Sequence, residues 1–307
     1  MNLQYGWWLI GCLFLLTGCG SLRTEVNPEF LNRESGKLVV TGFLSPQDTV
    51  LAVKVSRSRT VLGDSINTGA TQNIQNAVVT IQEGGRLVAL NNKNNTADYY
   101  SIEARFLPII AGRTYKLVVQ TPGGERAESS CTIPSIVRLD GIAFDSAIIN
   151  QFFNQQKRYY VHASWTDQPN QANYYQLTGL FQFINADSAG RREYRNVRFD
   201  AANGSLQSDE NRDGDQIFSE RAYISRIDVN SPAAQRSFSS RFRDAIVTVN
   251  LLNIEKTYYQ YQTAAGLQAQ SSGNPFAEPV LIPSNIQGGL GCFAGYNRST
   301  MRLRVSR

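Results

Sequence analysis

Histidine is almost missing from this chain of 307 residues: His162 is the only one. That excludes zinc sites built from several imidazoles and leaves a single imidazole for any nucleophilic triad. No G-x-S-x-G turn occurs, so the sequence lacks the strand-to-helix elbow that exposes a nucleophilic serine. Cysteine is scarce too, with four residues in all, too few for a disulfide-built scaffold. Charged residues are only 18% of the chain. The apolar stretch at residues 7–16 (WWLIGCLFLL) falls short of the roughly 18 residues a membrane-crossing helix needs.

That stretch has the length of a signal-peptide core and runs into small residues. Leu16, Thr17, Gly18 and Cys19 then read as a bacterial lipobox. The thiol is the only group there able to form a thioether with lipid, and the small side chains before it let a peptidase reach the backbone. Residues 1–18 are therefore expected to be a lipoprotein signal peptide, although residues 1–6 carry no Lys or Arg. Cys19 is the expected lipidation site, and more than one acyl chain would make the anchor stable. Processing removes Cys12 and lipidation consumes Cys19, which leaves Cys131 and Cys292. An oxidising compartment permits a disulfide between them, but two buried free thiols are the preferred reading.

The remainder is long for one core, so two domains are expected. The chain as a whole is 42% hydrophobic, which suits a folded body. The net charge of +5, carried mostly by Arg, favours anionic partners such as lipid head groups or acidic glycans over nucleic acid. An ordinary solvated surface with a mild basic excess explains it more simply.

Residues 19–36 are polar and aperiodic, as a flexible tether would be. From residue 37 to 134, short β-type segments follow one another (37–44, 50–55, 77–81, 99–102, 114–120 and a last one ending at Ile133), separated by turns such as Gly84-Gly85 and Pro122-Gly123-Gly124. This spacing argues for a β-sandwich. Residues 135–307 stay β-rich with longer segments at 138–145, 159–165, 174–183, 245–252 and 301–305. Residues 254–270 break the pattern: Ile254, Tyr258, Tyr261 and Ala265 recur at helical spacing, which predicts one amphipathic helix.

The sharpest local motif is Asp209-Glu210-Asn211-Arg212-Asp213-Gly214, with Glu220 in the twelfth position. It fits a calcium loop, with Asp209, Asn211, Asp213, Asp215 and Glu220 as ligands. Neither flank looks helical, so an isolated loop between strands is expected rather than a paired EF-hand. A polar hairpin turn needs the same residue types for its left-handed positions and is the preferred reading. His162 lies in a strand-like segment and is expected to be structural. Gly288-Gly289-Leu290-Gly291 does not open a helix, so it reads as a tight corner where backbone meets backbone, not as a phosphate loop. The carboxylates of Asp140 and Asp145, or of Asp209 and Asp213, show no spacing that marks an acid/base pair.

Several segments together carry a resemblance. They are the lipobox, residues 37–42 (KLVVTG), 77–81 (AVVTI), Gly112-Arg113-Thr114-Tyr115 with the Pro122-Gly123-Gly124 turn, and the C-terminal runs 273–280 (GNPFAEPV), 284–291 (SNIQGGLG) and 293–296 (FAGY). In these the chain resembles a family of outer-membrane lipoproteins of Bacteroidota, the domain of unknown function 4249. The resemblance spans nearly the whole chain. It implies an N-terminal sandwich of the immunoglobulin or transthyretin type, a place at the outer membrane, and company with TonB-dependent receptors. It implies no catalytic residue. Gly20-Ser21-Leu22-Arg23 after Cys19 lacks the acidic residues that often accompany surface export in this phylum, so the periplasmic and surface faces both stay open. The expectation is an all-β, two-domain, non-catalytic accessory lipoprotein without a cofactor. A structural or adhesive protein with a calcium-stiffened loop ranks second, and a glycan or peptide hydrolase third.

Overall fold

The computed structural model describes residues 36–58, 73–92, 99–151, 154–185, 190–199, 205–228, 238–271 and 280–305. The expected leader with Leu16, Thr17, Gly18 and Cys19, the expected tether before Gly36, and residues 273–279 lie outside the described residues.

The first half contains β1 (Leu38–Leu44), β2 (Val50–Arg57), β3 (Val78–Glu83), β4 (Arg86–Leu90), β5 (Tyr100–Glu103), β6 (Thr114–Gln120) and β7 (Arg126–Thr132). Alternate residues of β1 are buried, as a strand with one face on a core requires. Leu51, Val53 and Val55 of β2 do the same against Ile81, Leu117 and Val119. These side chains fill the space between the sheet β4-β3-β6-β7 and the β1-β2-β5 edge of a larger sheet.

The second half contains β8 (Leu139–Gln151), β9 (Asn154–Thr166), β10 (Tyr174–Asn185), β11 (Arg192–Val197), β12 (Leu206–Ser208), β13 (Gln216–Phe218), β14 (Ala222–Asp228), the short helix α1 (Phe238–Arg241), β15 (Phe242–Ile254), helix α2 (Lys256–Ser271) and β16 (Leu290–Arg304). β9 is flanked by β8 on one side and by β13 and β14 on the other; the facing layer runs β11-β10-β15-β16. Trp165, Tyr175, Phe181, Phe183, Phe238 and Phe242 form the core between them.

One strand belongs to both halves. Residues 290–295 of β16 pair in parallel with β1, and residues 296–304 pair antiparallel with β15. Phe293 accordingly lies in the first core, while Met301 and Leu303 pack on the second. The Gly-rich corner that leads into it is built for close approach. A Cβ on Gly291 would lie 2.1 Å from the Val40 carbonyl, and one on Gly288 would lie 2.2 Å from the Arg126 carbonyl. Gly291 also has φ +114, a conformation L side chains rarely adopt.

The segment between the halves is held by buried polar groups. Asn253 and Asn297 are cross-strand partners, and their amides donate to the carbonyls of Ser135 and Pro134, each at 3.0 Å. Glu255 accepts backbone N–H groups from Thr132 and Gly295, both at 2.6 Å. Helix α2 lies near the C-terminus as expected. It starts at Lys256, because Ile254 still belongs to β15, and it buries Tyr258 and Ala264 rather than a full stripe. Tyr258 joins Phe43, Cys292 and Ala294 in a small third cluster. Cys131 and Cys292 are buried and free, and burial raises both thiols, Cys292 to about 12, so they stay protonated.

Candidate metal centre between two loops

Two loops of the second half run side by side because their flanking strands are paired. β9 leads through residues 167–173 into β10, and β12 leads through residues 209–215 into β13. β12 pairs with β10 and β13 pairs with β9, so both loops leave the same end of the sandwich. Backbone hydrogen bonds lace them at either end, from Asp167 N–H to the Asp215 carbonyl (2.9 Å) and from Asp209 N–H to the Asn173 carbonyl (3.2 Å). Left-handed residues make the turns: Asn170 (φ 65), Asn211 (φ 64) and Gly214 (φ 75). Asn and Gly tolerate this region at low cost, which is why the loops have their composition.

The loops bring Asp167, Asp209 and Asp213 together, with a carboxylate oxygen of each within 4.8 Å of the others. Asp167 is 3% exposed and Asp209 8% exposed, whereas Asp213 is open to solvent. Each is oriented by backbone. Gly214 N–H donates to Asp167 Oδ2 (2.9 Å), Asn173 N–H to Asp209 Oδ2 (2.7 Å), and Asn170 N–H to Asp213 Oδ1 (2.8 Å). The Tyr175 hydroxyl and the Asn173 amide donate to Asp167 Oδ1. Burial, reinforced by Asp167, pushes the Tyr175 hydroxyl well above its ordinary value, so it remains a donor. Two buried carboxylates at this separation repel by roughly 3 kcal/mol at an effective dielectric near 20. The backbone donors offset part of that, and a cation would offset more. The donors are all oxygen, with neither His nor Cys in the group, which suits a hard ion such as calcium better than zinc.

The sequence motif maps onto this geometry only in part. Asp209 and Asp213 point into the group. Asp215 gives its carbonyl to Asp167 N–H. Asn211 and Glu220 instead line a cavity of about 370 Å³ to which none of the three aspartates contributes. Its other walls include Gln207 and Ser208 of β12, Glu210 and Arg212 of the loop, Phe218 of β13 and Tyr259 of α2. Glu220 is placed there because residues 216–228 run as strands along β9 instead of forming the second helix of an EF-hand. Asp167, 47 residues before Gly214, was not among the expected ligands. Its one signal is the turn-forming composition of Asp167-Gln168-Pro169-Asn170 directly after a strand.

The remaining candidates are placed as follows. His162 stands half-buried on the solvent side of β9, beside Tyr160 with ring centroids 6.2 Å apart. Asp140 accepts a hydrogen bond from Thr166 Oγ1 at 2.8 Å. Among the described residues, no helix is long and apolar enough to cross a membrane.

No curated protein matches the chain. The model of the family described as a domain of unknown function (DUF4249) matches residues 23–302, and the chain belongs to that family.

Proposed function

We propose that the protein is a non-catalytic envelope lipoprotein, anchored through Cys19 at the outer membrane, that binds its partner beside a TonB-dependent receptor. The observation that carries this is the Leu16-Thr17-Gly18-Cys19 lipobox followed by a short polar segment and then folded strands. Gly36, the first described residue, is tied to Ser58 beside the start of β1, where β16 also begins. β16 runs from there into the second half. The test is affinity isolation of the tagged protein from gently solubilised outer membranes, followed by mass spectrometry. Recovery of a TonB-dependent barrel with wild type, lost with Cys19→Ala, is the expected result. Isolation with no barrel sinks the accessory role.

A second reading follows from the three aspartates. Calcium held by Asp167, Asp209 and Asp213 would tie the 167–173 loop to the 209–215 loop and stiffen the second half. A ligand at a hundred times its Kd stabilises the state that binds it by about 2.7 kcal/mol. The Tm is therefore expected to rise with calcium in wild type and to stay flat in Asp209→Ala. A flat response in both leaves a polar double turn and nothing more.

A further inference from the structure

The cavity of about 370 Å³ beside the aspartates is large enough for a small ligand. Several carboxylates elsewhere are engaged: Glu125 with Arg57, Glu83 with Arg113, Asp244 with Arg192. Around this cavity, by contrast, the side chains of Gln207, Glu210, Asn211 and Glu220 make no hydrogen bond or ion pair among the described residues. Phe218 is 58% exposed, and its register partner across the sheet is Ser164, too small to cover it. Tyr259 supplies a second ring, held in place by Tyr174 with centroids 4.9 Å apart. Arg212 is fixed on the wall by donating to the Ser208 carbonyl at 2.9 Å.

This combination selects a ligand class. Exposed rings offer flat apolar faces, and planar amides and carboxylates offer paired acceptors and donors for neighbouring hydroxyls. Two carboxylates against one guanidinium oppose an anion, despite the positive charge of the whole chain. The guanidinium in the wall opposes a polycation. A neutral molecule with both an apolar face and a rim of hydroxyls is what remains.

We propose that this cavity is a binding site for a neutral saccharide, with a pyranose ring stacked on Phe218 and its hydroxyls bound by Glu210, Glu220 and Gln207. The proposal names the ligand class of the binding function above; it depends on the protein acting by binding, not on the anchor or the barrel.

The test is affinity electrophoresis of the full chain in mild detergent, with calcium present, through gels containing amylopectin, xylan, galactomannan or β-1,3-glucan. At least one polymer should retard wild type. Phe218→Ala and Glu210→Gln should each weaken that retardation tenfold or more, while Tyr194→Ala, which removes another exposed ring (59% exposed) from β11, should leave it unchanged. All three positions are exposed, and circular dichroism checks that each variant folds. Three results overturn the site: no retardation by any of the four polymers, equal retardation of wild type and both cavity variants, or capture of an oligolysine peptide instead. None of these touches the barrel pull-down, so the site and the accessory role fail separately.

Discussion

In the first sandwich most of the space between the facing sheets is filled by aliphatic side chains such as Leu38, Val40, Leu51, Val53, Val79, Ile81, Leu117 and Val119, with Tyr100, Tyr115 and Phe293 as its rings. In the second, rings fill the gap. Phe181 stacks on Phe183 at 4.6 Å, and Phe238 sits 4.6 Å from Tyr159 and 4.9 Å from Phe242. The strands differ as well: β1 to β7 have four to eight residues, whereas β8, β9 and β15 have thirteen. The two halves therefore differ in how they fail. Outside Tyr100, Tyr115 and Phe293 the first core loses little volume at any one position, while the second concentrates more of its burial in rings.

The largest effect is expected where the halves are joined. In Gly291→Ala the new Cβ has only 2.1 Å to the Val40 carbonyl, so β1 and β16 cannot keep their parallel pairing. A loss beyond about 4 kcal/mol is expected, in the range reserved for backbone conflicts. Urea unfolding followed by near-ultraviolet circular dichroism measures it, and a loss under about 1 kcal/mol would mean the seam relaxes freely.

Next come matched truncations in the two cores. Phe181→Ala should cost about 3–5 kcal/mol and Leu51→Ala about 2–5 kcal/mol, both positions being fully buried. The sharper readout is cooperativity. Because β16 and the Asn253–Asn297 pair bind the halves together, each variant should unfold in one transition monitored by any probe. Two separated transitions would show that the halves are energetically independent.

Glu255 tests the clasp between them. Glu255→Gln keeps one acceptor but places an amide N–H₂ against a backbone N–H, and losing one hydrogen bond at this half-buried site should cost about 0.5–1.5 kcal/mol. Burial raises the Glu255 carboxyl above its ordinary 4.5, against the two backbone N–H groups that lower it. The folded state therefore holds its proton more tightly than the unfolded chain. That contribution to stability is complete below pH 4.5 and is lost as pH rises through the folded value. The Tm gap between wild type and Glu255→Gln should thus be widest in acid and narrow toward neutrality. A gap that widens with pH contradicts the raised carboxyl.

The two halves were also unequally legible. Runs of β-forming residues between turn residues mark β1, β2 and β6, and Leu51, Val53 and Val55 of β2 and Tyr115, Leu117 and Val119 of β6 fall on the buried face. β4 was missed although Gly84-Gly85 announced its hairpin, with Glu83 opposite Arg86; its Leu87 faces solvent and hides the alternation. The first part of β16 is announced only by the Gly-rich corner that leads into it. Residues 291–295 are buried on both faces, between the first core and helix α2, so no period of two remains to be read. The calcium motif located Asp209 and Asp213 by local spacing. Asp167 comes from another loop, and only the pairing of β12 with β10 and of β13 with β9 brings it near. The cavity has no sequence signature either, since its walls are drawn from β12, β13, one loop and α2.

The smallest effect is expected at the far end of the first sandwich. Arg57 donates to both carboxylate oxygens of Glu125 and to the Gly36 carbonyl (2.6 Å), so it joins the chain entry to the Pro122–Gly124 turn. The pairing raises the Arg57 guanidinium and holds the Glu125 carboxyl below its ordinary 4.5. Both side chains are about one-third exposed, at 33% and 39%, and water screens much of the attraction. Exposed pairs contribute about 0.2–1 kcal/mol, and Glu125→Gln should fall in that range. The sign with pH is opposite to that of Glu255. A lowered carboxyl stabilises the fold above its unfolded value and stops doing so as pH falls through the folded one. The Tm gap between wild type and Glu125→Gln should therefore close in acid, where the Glu255→Gln gap opens. Measuring both across one pH series compares a partly exposed clasp beside Gly36 with a half-buried one between the halves, and gaps that move together would remove the distinction.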